Sequence, residues 1–369
     1  MKYFIATYGC QANKADSERI IRRLKNMGHG KTDRIEKAGL VIINACSVRQ
    51  SAVDRVYAKI YHLQRRTVLR KTEDCPPKII LTGCVLPEDR KKLKNKVSEI
   101  WHPDEYFNRA PIHSSKTSAY VPIMTGCDNF CSYCAVPYTR GRERSRPAKK
   151  ITNEIEKLIK NGCREIWLLG QNVNSYYDAT GNAFFNSKRG RAIPPTAGSG
   201  IRDLKNAFPV KFPVLLKIIN NLPGNFQIHF LTSHPKDMSD ELIGAIAGCE
   251  KVSKEIHLPL QSGDNAILKK MNRKYTIGRY KKLVKKIREC IPGAKISTDI
   301  IVGFPGETKK QFGNTAKTME EIKFSGAYVA CYSPRPGTAA AKLKDNITRQ
   351  EKKERRKILM EIIAKENKF

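Results

Sequence analysis

The sequence has no uninterrupted apolar run of about 18 residues or more, so nothing in it predicts a membrane-spanning helix. Its first segment, Met1–Cys10, is also too short and too polar to form the hydrophobic part of a signal peptide. We therefore expect a cytosolic protein. Disulfide frameworks are rare in that reducing compartment, which leaves metal binding, catalysis or simple burial to explain the 11 cysteines.

Acidic residues are scarce, because the 369-residue chain has 35 Asp and Glu against 69 Lys and Arg, a formal net charge of +34. Such a basic surplus attracts the phosphate groups of a nucleic acid whatever its base sequence, and it predicts a polyanionic partner such as RNA or DNA. The alternative is that the basic residues only solvate the surface. With 40% hydrophobic residues, a chain of this length can bury two ordinary cores, so two domains are expected.

Residues 1–105 alternate between predicted strands and helices, which is typical of an α/β domain with a parallel sheet. Three cysteines each close a predicted strand. The carboxyl ends of parallel strands share one edge, where open α/β sheets bind ligands, so these cysteines can converge on one site. The alternative is three small buried side chains. The predicted strands are Tyr3–Tyr8, Leu40–Ala45 and Lys78–Thr82, the helices lie near Ser17–Met27 and Val53–Leu63, and the cysteines are Cys10, Cys46 and Cys84.

Residues 106–120 have the composition of a linker, and residues 121–340 form a second α/β pattern. Helical segments separate its strands, and Thr276–Cys290 has a clear helical period. Six βα units predict an open six-stranded (β/α)6 partial TIM barrel, with its chemistry at the carboxyl ends of the strands. The predicted strands are Val121–Thr125, Glu165–Leu169, Gln227–Thr232, Ser253–Leu260, Lys295–Gly303 and Gly326–Tyr332.

Two further segments do not fit this scheme. Tyr177–Phe212 is too long for a simple βα loop, and it is either an RNA-contacting lid or a tolerated surface insertion. Residues 341–369 predict a basic amphipathic helix over Thr348–Lys365, for which packing is a sufficient explanation. Its expected inward-facing residues are Ile358, Leu359, Ile362 and Ile363.

A CxxxCxxC run, formed by Cys127, Cys131 and Cys134, directly follows the first predicted strand of the second domain. Thiolates hold iron–sulfur clusters, and a 4Fe–4S cube bound by only three of them keeps one iron open to a small molecule. A structural zinc would need a fourth Cys or His at finger-like spacing, and none lies close by. The run therefore favours an iron–sulfur cluster over zinc.

The later strands of this domain end in glycine-rich or polar segments. Small residues there allow a ligand to approach the backbone, while amide, hydroxyl and carboxylate groups can fix its ribose, amino and carboxylate parts. For any one segment the alternative is an ordinary turn, but several such segments at one edge favour a binding site. The candidate ligand-binding residues are Gln171, Asn172, Ser233, Gln261, Ser262 and Asp299.

From residue 1 to about 340, the chain resembles the radical S-adenosylmethionine methylthiotransferase family. The segments that carry the resemblance are TYGCQANKADSERI, IINACSVRQ, LTGC, IMTGCDNFCSYCAVPYTRGRERSRP, LLGQNVNSY, TSHP, HLPLQSGDNAILKKMNR, STDIIVGFPGET and YSPRPGT. Among the branches of the family, YTRGRERSRP, GQNVNSY and TSHP are most similar to the one that acts on N6-isopentenyladenosine (dimethylallyladenosine) in tRNA. The branches acting on N6-threonylcarbamoyladenosine or on a ribosomal protein aspartate share the cysteines but match these segments less well.

The resemblance implies a radical SAM fold and two 4Fe–4S clusters. The cluster on Cys127, Cys131 and Cys134 would bind and cleave S-adenosylmethionine, and an auxiliary cluster on the other three cysteines named above would carry the sulfur to be inserted. One S-adenosylmethionine would methylate that sulfur. A second would yield a 5′-deoxyadenosyl radical, which takes hydrogen from C2 of the modified adenosine next to the anticodon. Since a radical does this step, no general base is expected.

The resemblance further implies that the strand-end candidates bind S-adenosylmethionine and that the partners are tRNA and a flavodoxin- or ferredoxin-like electron donor. We expect a cytoplasmic monomer. Arg140 and Arg335 lie where strand-end loops could reach substrate or cofactor, although arginines on so basic a chain are commonly solvated surface groups. The other cysteines, expected to be ordinary thiols, are Cys75, Cys163, Cys249, Cys290 and Cys331.

The sequence departs from the family at its end. The family usually closes with a small β-barrel RNA-binding domain, whereas only 31 residues follow Thr338. We expect that domain to be absent, so that either the chain is truncated or its net charge and Lys188–Arg191 compensate in gripping tRNA. Two alternatives stay open at this point, a sister methylthiotransferase of another branch and a non-catalytic metal-containing RNA-binding protein.

Overall fold

The computed structural model describes residues 1–69, 77–180, 185–186, 191–192 and 209–366. These residues pack into two compact units. None of the described helices combines the length and the apolar composition that crossing a bilayer requires. Unit 1 consists of Met1–Ser115, Gly126–Arg142 and Ser333–Lys342, and unit 2 consists of Lys116–Thr125, Glu143–Tyr332 and the described residues from Leu343 onward.

Unit 1 is built on a parallel sheet with the strand order β2-β1-β3-β4-β5. Its central strand β3 is buried along its whole length, which explains why its sequence, LVIINAC, is almost continuously apolar. The predicted α/β class is confirmed. The strands are β1 Lys2–Thr7, β2 Gly30–Lys31, β3 Leu40–Cys46, β4 Lys78–Cys84 and β5 Glu99–Ile100, and the helices are α1 Gln11–Asn26, α2 Gln50–Leu69, α3 Pro87–Leu93 and α4 Asp104–Phe107.

Helices cover both faces of this sheet. On one face Val56, Ile60 and Leu63 of α2 pack against alternate residues of β3 and β4. On the other face Ile20 and Leu24 of α1 pack with the remaining apolar residues of the same strands. Because both faces are closed, functional groups of the sheet are left to its edges and strand ends.

The segment after α4 is held against unit 1. The Glu18 carboxylate in α1 accepts hydrogen bonds from the Ser114 backbone N–H at 2.8 Å and from the Ser114 hydroxyl at 2.7 Å, and His113 Nδ1 lies 3.1 Å from it. The first strand of unit 2 already begins at Ser118. Residues 113–114 therefore pack as part of unit 1, whereas the sequence predicts a linker over residues 106–120.

Unit 2 contains two parallel three-stranded sheets, ordered β6-β9-β14 and β15-β16-β17. A parallel bridge between Ile228 and Val252 joins β14 to the residues just before β15. The six strands therefore follow one another in chain order, which is consistent with the open six-stranded barrel predicted from the sequence. They are β6 Ser118–Pro122, β9 Glu165–Leu169, β14 Gln227–Phe230, β15 Glu255–His257, β16 Lys295–Val302 and β17 Gly326–Cys331.

Helices follow these strands and bury one large apolar core against them. The strand predicted over Val121–Thr125 is divided, since β7, Met124–Thr125, leaves the sheet and pairs antiparallel with β8, Arg144–Ser145. The helices are α5 Val136–Arg140, which belongs to unit 1, and α6 Ala148–Lys160, α7 Phe212–Asn220, α8 Asp240–Gly248, α9 Asn265–Lys270, α10 Ile277–Cys290, α11 Lys309–Ile322 and α12 Arg349–Glu366 in unit 2.

The insertion predicted between Tyr177 and Phe212 begins and ends on a short antiparallel pair, β10 Tyr177–Asp178 with β13 Val210–Lys211. Within it, β11 Phe185–Asn186 pairs antiparallel with β12 Arg191–Ala192. Residues 181–184, 187–190 and 193–208 of the insertion, which include the candidate RNA-contacting residues Lys188–Gly190, lie outside the described residues.

Helix α12 confirms the predicted C-terminal helix but not all of its predicted inward face. Ile358 is 45% exposed, so its assignment to the core was wrong. The buried stripe begins with two basic residues, Lys352 and Arg355, which pair with Asp345 and Glu307. Because these residues fix the rotation of the helix, its apolar contacts centre on Leu359 and Ile363 instead.

Candidate functional site

The first cysteine set lies along the carboxyl edge of the three adjacent strands β1, β3 and β4. Cys46 and Cys84 are the last residues of their strands and are register partners. Cys10 is the N-cap of α1, just beyond β1. Charge on Cys10 contributes to raising the pKa of both other thiols, so the three side chains interact electrostatically. The structure thus places these cysteines at the edge where the sequence predicts them.

Gly9 allows the chain to turn tightly before Cys10. Its φ is +138°, and a Cβ there would lie 2.9 Å from Cys46 Cβ and 2.2 Å from Asn13 Oδ1. Any other residue would push Cys10 and Cys46 apart, because real Cβ atoms do not approach so closely. The YGC tripeptide is therefore a geometric requirement of the site.

A buried amide network supports the same edge. Asn13 Nδ2 donates to Asn44 Oδ1 at 3.0 Å and to the Ala45 carbonyl at 2.9 Å, while Asn13 Oδ1 accepts from the Cys10 N–H at 3.3 Å. Asn44 Nδ2 donates in turn to the Asn13 carbonyl and to Ser17 Oγ. Neither asparagine was predicted as a site residue from the sequence, although the motif TYGCQANKADSERI contains Asn13.

Burial raises the pKa of Cys46 and raises the pKa of Cys84 to about 12. The Arg140 guanidinium opposes the shift at Cys84. In the metal-free chain these side chains are therefore thiols at neutral pH. A metal bound here would have to displace their protons, as is general for thiolate ligands.

The second cysteine set lies on a loop whose ends are joined, since the Cys127 N–H donates to the Gly141 carbonyl at 3.1 Å. A turn lies inside this loop, where the Cys134 N–H donates to the Cys131 carbonyl at 2.9 Å. Cys127 and Cys131 are buried and Cys134 is partly exposed. Asn129 Nδ2 donates a hydrogen bond to Cys127 Sγ at 3.5 Å. The loop thus offers three sulfurs on a closed, short segment.

Gly126 makes this closure possible. Its φ is +81°, and a Cβ there would lie 1.9 Å from the Arg142 carbonyl oxygen. Arg142 also pairs with Asp128 at 2.8 Å. The glycine that precedes the first cysteine therefore lets both ends of the loop meet.

Arg140 joins the two cysteine sets within unit 1. It ends α5 in the second cysteine loop, and it is only 4% exposed. Its Nε donates to Cys84 Sγ at 3.0 Å, and its Nη2 donates to Asp16 Oδ2 at 2.5 Å. The sequence placed Arg140 among substrate- or cofactor-reaching residues, whereas its described partners are an acidic residue of α1 and a cysteine of β4.

Arg335 is likewise buried in unit 1. Its Nη1 donates to Gln50 Oε1 at 2.9 Å, and its Nη2 donates to Ser333 Oγ at 3.2 Å. Nearby in the chain, the Ala340 N–H donates to the Ser132 carbonyl at 2.7 Å. The YSPRPGT segment therefore contacts the start of α2, and the residues that directly follow it contact the second cysteine loop.

In unit 2, several strand-end side chains bury polar atoms that have no hydrogen-bond partner among the described residues. Three of them were predicted as ligand-binding residues, with the unpartnered atoms Gln171 Oε1, Asn172 Oδ1 and Ser233 Oγ. Two more, Thr125 and Asn174, were not selected from the sequence. Asn174 is the second asparagine of GQNVNSY, so the motif itself was the available signal. A buried polar group without a partner is costly, so these atoms are candidate contacts for a polar ligand.

The remaining predicted ligand-binding residues have partners in unit 2. Ser262 is fully buried, with Oγ 3.4 Å from the Thr315 hydroxyl. Asp299 Oδ2 lies 3.1 Å from His257 Nε2. Gln261 has the left-handed φ of +69°, and its backbone pairs with β16. None of these three described residues has a buried side-chain atom without a hydrogen-bond partner.

The described cysteines outside the two sets differ from one another in how deeply they are buried. Cys163 and Cys249 lie in the core of unit 2, Cys331 is partly buried and Cys290 is exposed. Cys75 lies outside the described residues.

Two family models match separate parts of the chain. Residues 121–319 match the Radical SAM superfamily, and residues 2–102 match Uncharacterized protein family UPF0004. The tRNA-2-methylthio-N(6)-dimethylallyladenosine synthase of Clostridium novyi (strain NT) is 41% identical over 404 residues, covering all of this chain and 83% of that protein. The enzyme of the same name from Syntrophomonas wolfei subsp. wolfei is 40% identical, covering 96% of this chain and 80% of that protein. The chain belongs to the radical SAM methylthiotransferase family.

Solved structures that have low sequence identity to this chain share its fold. The radical S-adenosylmethionine methyltransferase TsrM from Kitasatospora setae matches with a TM-score of 0.58 at 12% identity, covering 92% of this chain and 76% of that one. The cobalamin-dependent S-adenosylmethionine radical enzyme OxsB matches with a TM-score of 0.58 at 10% identity, covering 99% of this chain and 56% of that one. The radical SAM fold expected from the sequence is therefore confirmed.

Membership of the radical SAM superfamily implies a 4Fe–4S cluster and S-adenosylmethionine, and the residues present fit both. Among the described residues, no three His, Cys, Asp or Glu side chains converge tightly enough to hold a single metal ion. A four-iron cube is larger than one ion, so its ligands stand further apart, and an all-sulfur donor set suits it. The unpartnered amide and hydroxyl atoms of unit 2 suit the ribose, amino and carboxylate groups of S-adenosylmethionine.

Proposed function

We propose that this chain is a tRNA methylthiotransferase that inserts a methylthio group at C2 of N6-isopentenyladenosine next to the anticodon. The observation that carries the proposal is that two separate three-cysteine sets lie in one compact unit and are joined by Arg140. One such set is enough for a radical SAM enzyme, so the second calls for a further cluster. The curated relatives, which are named for this modification, support the choice of product.

Cys127, Cys131 and Cys134 would hold the cluster that binds S-adenosylmethionine, and Cys10, Cys46 and Cys84 would hold the auxiliary cluster. With two S-adenosylmethionine molecules, the two clusters supply hydrogen abstraction from an unactivated C2–H bond and the methylthio group itself. The protein residues bind and orient the reactants and exclude water. No side chain is assigned as a general base.

Gln171, Asn172 and Ser233 are proposed to bind S-adenosylmethionine through their unpartnered atoms. Gln261, Ser262 and Asp299 are proposed to complete the same set of strand ends. Arg140 and Arg335 are proposed to act inside unit 1, because their guanidinium groups are buried there.

The partner is proposed to be tRNA, which the net charge of +34 supports because basic surfaces bind phosphate backbones. A small flavodoxin- or ferredoxin-like protein is proposed as electron donor to a monomeric enzyme in the cytoplasm. Residues 1–105, 121–340 and 341–369 are proposed as functional domains, although Gly126–Arg142 and Ser333–Lys342 pack in unit 1.

Anaerobic reconstitution tests the cofactor content. We expect about eight irons and eight sulfides per chain, and about four after replacing either cysteine set by alanine. Reduction in the presence of S-adenosylmethionine should release 5′-deoxyadenosine only while the second set is intact. Tightly bound zinc without that product would contradict the proposal.

Nucleoside mass spectrometry of tRNA tests the product. Cells lacking the gene should lose 2-methylthio-N6-isopentenyladenosine and accumulate N6-isopentenyladenosine, and the wild-type gene but not the Cys84→Ala variant should reverse this. Loss of a methylthio derivative of N6-threonylcarbamoyladenosine instead would assign the chain to a sister branch.

A further inference from the structure

The Arg140 guanidinium contacts Cys84, one of the cysteines of the first set. Its Nε lies 3.0 Å from Cys84 Sγ, within hydrogen-bond range for a sulfur acceptor. Arginine stays protonated in proteins, so this contact always presents a positive charge and an N–H donor to the sulfur. Donation to an anionic acceptor is roughly twice as strong as a neutral hydrogen bond.

Asp16 fixes the orientation of that guanidinium. Its carboxylate accepts from Arg140 Nη2 at 2.5 Å, and both side chains are almost fully buried, at 3% and 4% exposure. A buried pair of this kind tolerates little movement, since separating the charges would leave each of them buried and uncompensated. The direction of Nε toward Cys84 is therefore set by α1.

The backbone of Arg140 belongs to the other cysteine set. Helix α5 ends at Arg140, and the next residue, Gly141, accepts the hydrogen bond from Cys127 that closes the loop. The guanidinium thus extends from the loop that carries one sulfur set to a sulfur of the second set, within a single compact unit.

We propose that Arg140 is a positioning residue of the auxiliary centre that holds Cys84 in ligand geometry and raises the reduction potential of the cluster bound there. The inference rests on the proposed function, because it requires a cluster on Cys10, Cys46 and Cys84. Hydrogen bonds to cluster sulfurs and nearby positive charge both stabilise the more negative, reduced state. Neither effect requires contact between Arg140 and substrate.

The test uses the full chain carrying C127A, C131A and C134A, so that only the auxiliary cluster remains. Iron is counted first, and about four irons per chain are expected. The cluster is then titrated with dithionite, which supplies the one electron taken up in the 2+ to 1+ couple, and the reduced form is followed by electron paramagnetic resonance. In this background R140M/D16N, which removes both buried charges together, should lower the reduced-to-oxidised ratio at fixed potential about tenfold, or about 59 mV for one electron.

A second readout does not depend on the potential. In protein labelled with ¹⁵N-arginine, pulsed electron paramagnetic resonance should detect coupling between the reduced cluster and an arginine nitrogen. The conservative variant R140K, which keeps a charge opposite Asp16, should lose this coupling while retaining four irons. This readout decides the question if R140M/D16N does not hold a cluster.

The matched control is R146M/E154Q, which removes a second buried arginine–carboxylate pair, 2.6 Å apart, from unit 2. It should leave both the potential and the arginine coupling unchanged. A parental potential in R140M/D16N, or an arginine coupling that persists in R140K, would overturn the role of Arg140. Fewer than about four irons in the parent background would instead overturn the auxiliary cluster, and with it the proposed function.

Discussion

Asn13 and Asn44 hydrogen-bond to each other through their side-chain amides at 3.0 Å, and neither side chain is exposed to solvent. Asn13 also accepts from the Cys10 backbone, and Asn44 lies two residues before Cys46 on β3. The pair therefore links the backbone segments that carry two cysteines from different parts of the chain. A buried amide pair of this kind is directional, so it fixes spacing in a way that apolar packing cannot.

Replacing either asparagine by alanine should destabilise unit 1 by about 1–3 kcal/mol, because the remaining amide is left buried without its partner. Urea unfolding of the metal-free chain measures the loss. N13A and N44A should also retain less iron on the first cysteine set, whereas N95A, at an exposed position in the same unit, should change neither property. Full iron retention in N44A would show that the network does not position the cysteines.

Asn174 should contribute to ligand affinity and not to stability. Both atoms of its amide are buried without a described partner, so N174A removes an unsatisfied group from the folded protein. We expect an unchanged or higher melting temperature, together with about tenfold weaker S-adenosylmethionine binding, the value of about one hydrogen bond. Equilibrium dialysis of reconstituted protein measures the affinity, with N161A as the exposed control. Lower stability with unchanged affinity would assign Asn174 to the fold.

Cys163 should be dispensable for iron binding. Its thiol lies in the core of unit 2 and donates to the Glu165 carbonyl at 3.4 Å, away from both cysteine sets in the chain. C163A should lower stability by about 1 kcal/mol, as for removal of one small buried group, and leave the iron count unchanged. C84A is the comparison, because it should lose about four irons. Any loss of iron in C163A would contradict this assignment.

Glu18 should make the stability of unit 1 depend on acid pH. Burial alone raises its pKa, but the hydrogen bonds from His113 and Ser114 outweigh that effect, so the pKa lies below its usual value of 4.5. A carboxyl with a lowered folded-state pKa stabilises the protein above its unfolded pKa and loses that contribution as pH falls through the folded value. Between about pH 7 and about pH 3, E18Q should therefore lose less stability than the wild type.

Melting curves at several pH values measure this difference. E88Q, at an exposed position of the same unit, should follow the wild type. A parallel pH dependence of E18Q and the wild type would mean that Glu18 does not hold residues 113–114 in solution.

Local patterns were sufficient to predict the parallel sheets and the strand-end cysteines. The apolar runs of β3 and β4 are long enough to identify as buried strands, and a cysteine at the end of each is visible without any tertiary information. Parallel pairing then places those cysteines on a common edge. The same reasoning proposed Gln171 and Ser233 as ligand-binding residues, because both lie within two residues of the end of a predicted strand.

Contacts between distant residues could not be predicted this way. Arg140 reaches Cys84 across 56 residues, and nothing in either local pattern encodes that pairing. Ile358 was misplaced for a related reason, since the buried pairs of Lys352 and Arg355 set the rotation of α12 and the apolar pattern alone does not. The sequence shows which residues can be buried, and tertiary partners decide which of them are.

Unit 1 draws on three stretches of chain, and its contacts therefore form in an order that the ribosome imposes. The last strand of its sheet ends at Ile100. However, Arg140, the partner of Asp16, lies 124 residues after Asp16 in the chain, and Arg335, the partner of Gln50, lies 285 residues after Gln50. A nascent chain thus contains the first three cysteines before the Arg140 guanidinium, which contacts Cys84, has been synthesised. Assembly of the proposed auxiliary cluster at that edge is accordingly expected after translation, once Arg140 has been synthesised.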